Sequence, residues 1–178
     1  FIKRVEDING IVIDPGPLRF GQERLDPRVS HQVLDMMRGV VDAGTAYRAV
    51  RLNGFSAPAA GKTGTSYDYT DAWFTGMTTS LSASVWVGYD RQKQLIRKSR
   101  VGATGGFAAA PIWARFMKRA AQRYPAREFS MPEGLKRVEV DPIEGWRLNW
   151  AEDGISVLAK EESRIPREPF LDLRRLRG

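Results

Sequence analysis

Residues 60–90 read AGKTGTSYDYTDAWFTGMTTSLSASVWVGYD, and this stretch decides the fold. Three runs rich in β-branched and aromatic residues occupy 61–66, 72–78 and 82–89, and only a few residues separate them. Runs of this length and composition predict strands. Because a parallel pair needs a long crossover, the short links predict antiparallel neighbours. The third run is apolar on both faces, so we expect it to be the central, covered strand.

Two helices are predicted, one before and one after these strands. The first opens at Asp26, whose carboxylate can cap backbone N–H groups, and Pro27 suits its first position. Gly44 is expected to end it in a left-handed conformation. The second helix starts at Pro111 and stops before Pro125. Apolar residues at helical spacing predict one buried face on each helix. These faces comprise Val29, Val33, Met36, Met37, Val40 and Val41, and then Ile112, Phe116, Met117, Ala120 and Ala121.

Two further strand pairs are predicted near the ends of the chain. Strand-like runs within residues 1–14 surround Asp7-Ile8-Asn9-Gly10, and Asn-Gly between apolar runs is a strong hairpin signal. Runs at 135–140 and 146–150 are expected to pair with each other. The charged stretch 161–178 is expected to be a loose tail.

The remaining segments complete a provisional division of the chain. Residues 45–60 are predicted to be irregular, and residues 102–106 are predicted to form a flexible turn. We divide the chain into a main domain, 1–125, and a C-terminal extension, 126–178, with a strand pair and a basic tail. The expected fold is α/β (α+β), with an antiparallel sheet flanked by helices.

The composition excludes several classes of protein and site. Apolar residues make up 42% of the 178 residues, which suits a folded core, and no apolar run approaches the roughly 18 residues of a membrane span. The absence of cysteine excludes disulfides, thiolate catalysis and zinc–thiolate sites. The net charge of +7 favours anionic partners. We interpret it as a solvated basic surface and expect no nucleic-acid partner. Because the chain begins at Phe1 within a strand-like run, we expect it to begin inside a larger protein.

The string Gly61-Lys62-Thr63-Gly64 has two interpretations. A phosphate-binding P-loop needs a glycine five residues before Gly61, where Ser56 stands, and it should open a helix. The nearest upstream glycine is Gly54, and residues 67–70 are a poor helix start. A P-loop nucleotide binder is therefore kept only as an alternative, which a nucleotide titration would test.

The second interpretation is the Lys-Thr-Gly element of serine acyltransferases that act on D-alanyl peptides and β-lactams. On a strand, Thr63 and Thr65 lie on one side and Lys62 on the other. The two hydroxyls can hydrogen-bond a substrate's terminal carboxylate, and Lys62 supplies positive charge. Gly64 lets the substrate approach the strand and lie along it as an added strand. The Thr65 N–H is placed to donate to the oxyanion of the tetrahedral intermediate. Ser66 is a further candidate substrate contact.

Other conspicuous residues have structural interpretations. His31, the only histidine, lies in a predicted helix without a nucleophile signature nearby, so a surface or packing role is expected. Asp71 is expected to fix the loop before the strand containing Trp73, and Asp68 to be a turn residue. Trp73, Trp86 and Trp113 are expected to be core residues. No metal or cofactor is predicted.

Several blocks in the same order resemble the bifunctional (class A) penicillin-binding proteins. Residues 26–46 are similar to the family's helix that ends in a "VV-x-x-GT" turn, and 60–66 to its "AGKTGT" strand. Residues 71–76 and 85–90 resemble its "DAWFVG" and "VWVGYD" strands. Residues 104–113 resemble its "TGG…A-x-PIW" helix entry. The resemblance covers residues 1 to about 125 and identifies them as the C-terminal part of the transpeptidase domain.

The resemblance implies a peptidoglycan D,D-transpeptidase with catalytic residues Lys62 and Thr65 and substrate contacts at Thr63, Gly64, Thr65 and Ser66. Its implied partners are D-Ala-D-Ala stem peptides and β-lactams. The full-length protein would be periplasmic, with a membrane anchor and a glycosyltransferase domain. None of the ten serines begins Ser-x-x-Lys or Ser-x-Asn, so we expect these two elements in a missing N-terminal half. This fragment alone is therefore expected to be inactive. The rival hypothesis is a non-catalytic envelope binding or regulatory module on the same scaffold.

Overall fold

The computed structural model describes residues 5–14, 25–148 and 154–167. Seven strands and four helices are assigned within these ranges. In chain order they are β1 (Val5–Glu6), β2 (Val12–Asp14), α1 (Pro27–Asp42), α2 (Tyr47–Val50), β3 (Ala60–Thr65), β4 (Asp71–Met77), β5 (Ser82–Gly88), α3 (Gly105–Ala108), α4 (Ala110–Ala120), β6 (Leu135–Val140) and β7 (Ile155–Lys160).

Strands β3, β4 and β5 form one antiparallel sheet in that order, as predicted from the short links. The prediction that the third run is the central strand is wrong, because β4 lies between the other two in the described sheet. The inward side chains of β4, such as Phe74, are fully buried. In β5, Val85 and Val87 are only partly buried and Trp86 faces outward. An apolar residue on the outer face of β5 therefore did not mean that this face was covered.

Helix α4 covers one face of this sheet, which we call the closed face. Trp113 and Phe74 are fully buried there, with ring centroids 5.1 Å apart in an edge-on arrangement. The adjacent position is Gly76, where a Cβ atom would lie 2.7 Å from the Trp113 ring. The expectation that Trp113 is a core residue is confirmed.

The predicted buried stripe of α4 is wrong in most positions. Ile112 and Phe116 are exposed, and only Met117 of the predicted set is buried. The buried stripe follows the same helical spacing but is shifted by one position, because Trp113 fills the space beneath the sheet. It consists of Ala110, Trp113, Ala114 and Met117.

Helix α1 begins as predicted, since the Asp26 carboxylate accepts a hydrogen bond from the Arg28 N–H at 2.8 Å. Its predicted apolar face is wrong in part. Val41 is buried, but Val29, Val33 and Met36 are exposed along two open grooves beside the helix. His31 is buried, which agrees with a packing role.

The end of α1 also differs from the prediction. Gly44 does not have a positive φ, and Ala43 occupies the C-cap position. Gly44 is needed for a close contact instead, because a Cβ atom there would lie 2.8 Å from Val40 Cα. Helices α2 and α3, each four residues long, lie partly where irregular or flexible segments were predicted, within 45–60 and 102–106. Elements this short carry too few residues to show a period.

The main partner of β6 is β7, which was not predicted, and Leu135 lies opposite Lys160. The predicted pairing with 146–150 is present only at the end of β6, where Val140 forms an isolated antiparallel bridge with Arg147 and Leu148 N donates to the Glu139 carbonyl at 3.1 Å. Residues 149–150 lie outside the described ranges. The N-terminal hairpin of β1 and β2 is confirmed for residues 5–14, and residues 1–4 lie outside the described ranges.

The β6–β7 hairpin is tied to α1, so residues 161–167 are not a loose tail. Glu162 accepts from the Arg28 guanidinium at 2.9 Å, and the Gln32 amide donates to the Leu158 carbonyl at 2.8 Å. Lys160 pairs with Asp26 at 3.0 Å. The rest of the predicted tail, 168–178, lies outside the described ranges.

Candidate functional site

Strand β3 places the Lys-Thr-Gly residues at a margin of the sheet. It is the end strand of the three, and no strand of the described ranges pairs with its outer edge. Ser66 N donates to the Asp71 carbonyl at 3.0 Å, so the Ser66 backbone faces β4. Since backbone groups alternate along a strand, the N–H and C=O of Thr63 and Thr65 face the outer edge. A peptide could therefore bond to β3 there.

The Thr63 and Thr65 hydroxyls lie on one side of β3 and are held by neighbouring elements. Thr63 Oγ1 lies 3.1 Å from Thr45 Oγ1, in the turn after α1. Thr65 Oγ1 accepts a hydrogen bond from Gly105 N, at the start of α3, at 3.1 Å. Each hydroxyl is thus oriented by a group outside its own strand.

Two glycines let α3 lie directly against this margin. A Cβ atom on Gly105 would lie 2.1 Å from the Trp73 carbonyl oxygen and 2.5 Å from the Gly64 carbonyl oxygen. A Cβ atom on Gly106 would lie 2.6 Å from the Thr45 carbonyl oxygen. Any side chain at Gly105 would separate α3 from β3 and remove its bond to Thr65.

Lys62 lies on the other side of β3, and its side chain is exposed. Its ammonium donates to the Thr63 carbonyl at 2.8 Å. No carboxylate of the described residues pairs with it. An unneutralised ammonium beside available backbone groups favours an anionic ligand at this edge.

Ser66 has a structural partner rather than an open position in the cleft. Its Oγ accepts from the Asp71 N–H at 2.8 Å and lies 2.9 Å from Thr70 Oγ1. Asp71 in turn accepts from Thr70 and from the Trp86 indole. These hydrogen bonds, that of Thr70 first, lower the pKa of Asp71 below its ordinary value. The residues fix the turn between β3 and β4, as expected for Asp71, and Asp68 lies in that turn.

The face of the sheet opposite α4, which we call the open face, carries two tryptophans. Trp73 and Trp86 are 46% and 43% exposed, with ring centroids 6.2 Å apart. The expectation that both belong to the core is wrong within the described residues. Gly64 lies on this face directly beside Trp73. Lys62, two residues before Gly64 in the strand, lies on the same face. Apolar surface and positive charge therefore adjoin each other at the β3 margin.

The geometry excludes one earlier alternative. Residues 60–65 form a strand that leads through a turn into β4, so they do not wrap around a phosphate ahead of a helix. Among the described residues, no group of three or more histidine or acidic side chains is placed to hold a metal ion. No helix in the described ranges is long and apolar enough to cross a membrane.

Sequence reasoning gave no site role to Thr45 or Gly105, although both contact the candidate hydroxyls. Each residue lies in a short Gly-Thr or Thr-Gly-Gly string at the boundary of a helix. Such strings at helix boundaries are the signal that could have identified them. Which strand they would contact depends on long-range packing, which local pattern does not contain.

The comparisons with known proteins agree on one family. Residues 1–118 match the family described as "Penicillin binding protein transpeptidase domain". The chain is 38% identical over 143 residues to "Penicillin-binding protein 1A" of Aquifex aeolicus, covering 80% of this chain and 18% of the relative. It is 36% identical over 121 residues to the protein of that name from Pseudomonas aeruginosa, covering 68% and 14%. The chain thus spans less than a fifth of the length of these relatives.

Solved structures show the same architecture. Penicillin-binding protein 1A from Haemophilus influenzae superposes with a TM-score of 0.65 at 19% identity, covering 96% of this chain and 30% of the other. The penicillin-binding protein PonA1 from Mycobacterium tuberculosis gives a TM-score of 0.53 at 26% identity, covering 71% and 34%. PonA1 has also been solved in complex with penicillin V.

Proposed function

Because the chain belongs to the penicillin-binding protein transpeptidase family, we propose that it forms one wall of a serine D,D-transpeptidase site that cross-links peptidoglycan stem peptides. The observation that carries the proposal is the β3 margin. There no carboxylate of the described residues neutralises Lys62, and the hydroxyls of Thr63 and Thr65 are oriented by Thr45 and Gly105. The substrates are peptides ending in D-Ala-D-Ala, and β-lactams acylate the same serine.

The chemistry is acyl transfer. A serine hydroxyl attacks the carbonyl of the penultimate D-alanine and forms an ester. The amide bond to the terminal D-alanine breaks, and its nitrogen takes the proton that the serine lost, so the terminal D-alanine leaves as a free amine. The amine of a neighbouring stem peptide then attacks the ester, forms the cross-link and releases the serine. Because water or an amine can accept the acyl group, the same site can also act as a carboxypeptidase.

Each residue of the β3 margin has a defined part in this reaction. Lys62 and the Thr63 hydroxyl bind the terminal carboxylate of the substrate, with Thr65 Oγ1 as a further donor. The Thr65 N–H, which faces the outer edge of β3, donates to the oxyanion of the tetrahedral intermediate. One such donor is worth about 10²–10³ in rate. Gly64 leaves room for the substrate backbone.

The nucleophile must come from outside these 178 residues, since none of the ten serines begins Ser-x-x-Lys and none begins Ser-x-Asn. We assign both elements to an upstream half of the domain, with a membrane anchor and a glycosyltransferase domain before it in a periplasmic protein. The exposed pair Trp73 and Trp86 beside Lys62 supports contact between this face and the upstream half. An apolar face of this kind is normally covered by a partner surface.

Labelled penicillin tests the proposal. The 178-residue chain alone should take up no covalent label, whereas the chain joined to its upstream half should be labelled. Replacement of the serine of Ser-x-x-Lys by alanine in the joined protein is the control and should abolish labelling. An unlabelled joined protein would favour the rival hypothesis of a non-catalytic envelope module. Labelling of the isolated chain would contradict the assignment of the nucleophile.

A further inference from the structure

The segment between β5 and α3 is strongly basic, and we call residues 91–104 the basic hairpin. It contains no acidic residue. A tight turn closes it, with Arg100 N donating to the Arg97 carbonyl at 2.8 Å and Arg97 N to the Val101 carbonyl at 2.9 Å. Its five cations are Arg91, Lys93, Arg97, Lys98 and Arg100.

The charges of the basic hairpin are not neutralised within the described residues, where none of the five cations makes an ion pair. Elsewhere Arg28 and Arg137 lie 2.8 Å from carboxylates. Arg97 instead stacks on the Phe107 ring, with its guanidinium carbon 3.9 Å from the ring centroid. Its Nε is enclosed without a hydrogen-bond partner among the described residues. Stacking of this kind orients a cation and leaves its charge available to an anion.

The basic hairpin is fixed beside the end of β3. Leu95 N donates to the Tyr69 carbonyl at 2.8 Å, in the turn that follows Thr65 and Ser66. A Cβ atom on Gly102 would lie 2.2 Å from the Tyr69 ring, so the hairpin packs directly on that turn. Leu95 and Ala103 pack with Ala72 of β4. The hairpin is therefore anchored by backbone and apolar contacts, to which the stacking of Arg97 on Phe107 adds.

The proposed site residues fix the direction in which a peptide lies on β3. With the terminal carboxylate at Lys62 and the reacting carbonyl at Thr65 N–H, the peptide runs antiparallel to β3. Its upstream residues then pass Thr65 towards the turn at 66–70. Since an extended chain advances about 3.4 Å per residue, only a few residues separate the reacting carbonyl from this turn. The basic hairpin packs on that same turn.

From this placement we propose that the basic hairpin is a specificity element that binds a carboxylate on the peptide substrate, a few residues upstream of the reacting carbonyl. Arg97 is the central cation, because it is oriented by Phe107, which follows Gly105 and Gly106 in α3. This inference rests on the proposed function, since it uses the direction of the bound peptide.

The test uses the full protein and matched peptides that all end in D-Ala-D-Ala. Within each pair, one side chain located one, two or three residues before the penultimate D-alanine is either a carboxylate or its carboxamide. Release of D-alanine gives kcat/KM for each peptide. We expect a preference of about tenfold for the carboxylate at one of these positions, since a charge-assisted hydrogen bond is gained. The preference should fall as ionic strength rises.

The variant R97Q/R100Q should lose this preference, so that it processes the carboxylate and carboxamide peptides of each pair at equal rates. The control R115Q/R119Q removes the same charge from exposed positions of α4 and should retain the preference. Penicillin labelling of each variant reports whether the site is intact. If R97Q/R100Q does not fold, the salt dependence of the wild-type protein decides. Loss of its preference for the carboxylate peptide at high salt supports the inference, and a preference that does not change with salt overturns it.

The outcomes separate this inference from the proposed function. Absence of penicillin labelling and of D-alanine release in the wild-type protein would refute the proposed function. A labelled protein that treats every carboxylate and carboxamide pair equally would overturn the inference alone. A preference that persists undiminished in R97Q/R100Q would also overturn it, because the carboxylate would then be bound elsewhere.

Discussion

Helix α4 and the β6–β7 hairpin are both held against the rest of the molecule, but by different forces. The contact of α4 with the closed face of the sheet is apolar, with Trp113, Phe74 and Met117 fully buried. The hairpin contacts α1 through Asp26, Arg28 and their partners, all of which keep contact with solvent. Buried apolar area dominates stability, whereas exposed ion pairs contribute little. The first contact should therefore determine whether the domain folds, and the second how α1 is oriented.

Truncation of Trp113 tests the apolar contact between α4 and the sheet, and it has the largest expected effect of these predictions. W113A should lower the free energy of unfolding by about 3–5 kcal/mol, since it leaves a cavity beneath Phe74 and Gly76. The control F116A, on the exposed side of the same helix, should change it by less than about 1 kcal/mol. Urea unfolding of the 178-residue chain measures both. Equal losses would show that α4 does not have the packing described.

Substitution of Gly105 tests the close contact between α3 and β3. G105A places a Cβ atom against two backbone carbonyl oxygens, which cannot yield as a flexible side chain would. Overpacking of this kind should destabilise the protein by about 1–3 kcal/mol. It should also slow acylation, because the bond to Thr65 is lost. G39A is the matched control, since nothing lies near its Cβ position on α1 and alanine favours a helix. A G105A protein as stable and active as wild type would refute the role of this contact.

Replacement of Thr45 tests whether the turn after α1 orients the Thr63 hydroxyl. T45V keeps the shape of the side chain but removes the hydrogen bond, which is worth about 0.5–1.5 kcal/mol. If this free energy is lost from the transition state, penicillin acylation of the full protein should slow by roughly two- to tenfold. T45S retains a hydroxyl and should restore the rate. If T45V reacts at the wild-type rate, the Thr45 hydroxyl does not orient the Thr63 hydroxyl.

Acid should weaken the ionic contact before the apolar one. The Arg28 guanidinium, with the Lys160 ammonium, holds the pKa of Asp26 well below its ordinary value of 3.8. Because the folded-state pKa is the lower one, the stability from this carboxylate is complete above pH 3.8 and is lost as pH falls below it. Unfolding of wild type should therefore become easier over this acid range. D26N should show a smaller acid dependence, and an unchanged profile in D26N would contradict the assignment.

The sequence predicted the parts of the fold that depend on local pattern. The Asp26-Pro27 start of α1, the three antiparallel strands and the Asn-Gly hairpin each carry a signal within a few residues. The errors concern which side of an element is covered. Val29, Val33 and Met36 of α1 and Trp86 of β5 have the predicted period, but these side chains are exposed in the structure. β7 was missed as the main partner of β6, because residues 146–150, of which Arg147 bridges Val140, are nearer in sequence.

The candidate site was predictable only in part, for the same reason. Lys62, Thr63 and Thr65 were predicted because their spacing and a family resemblance both pointed to them, and the structure places them together on β3. Thr45 and Gly105 were missed because their contacts with β3 join residues 18 and 40 positions apart. Ser66 was proposed as a substrate contact, whereas its hydroxyl is bonded within the β3–β4 turn. A short motif locates a site, and long-range packing decides which neighbours complete it.

The rate of penicillin acylation in K62A tests the account most directly. In the full protein, K62A should react about 10- to 100-fold more slowly than wild type, since a hydrogen bond to a charged group is lost. K118A removes the same charge from an exposed position of α4 and should react at the wild-type rate. Acylation of K62A at the wild-type rate, in a protein that unfolds at the same urea concentration, would contradict the assignment of the β3 margin as a wall of the active site.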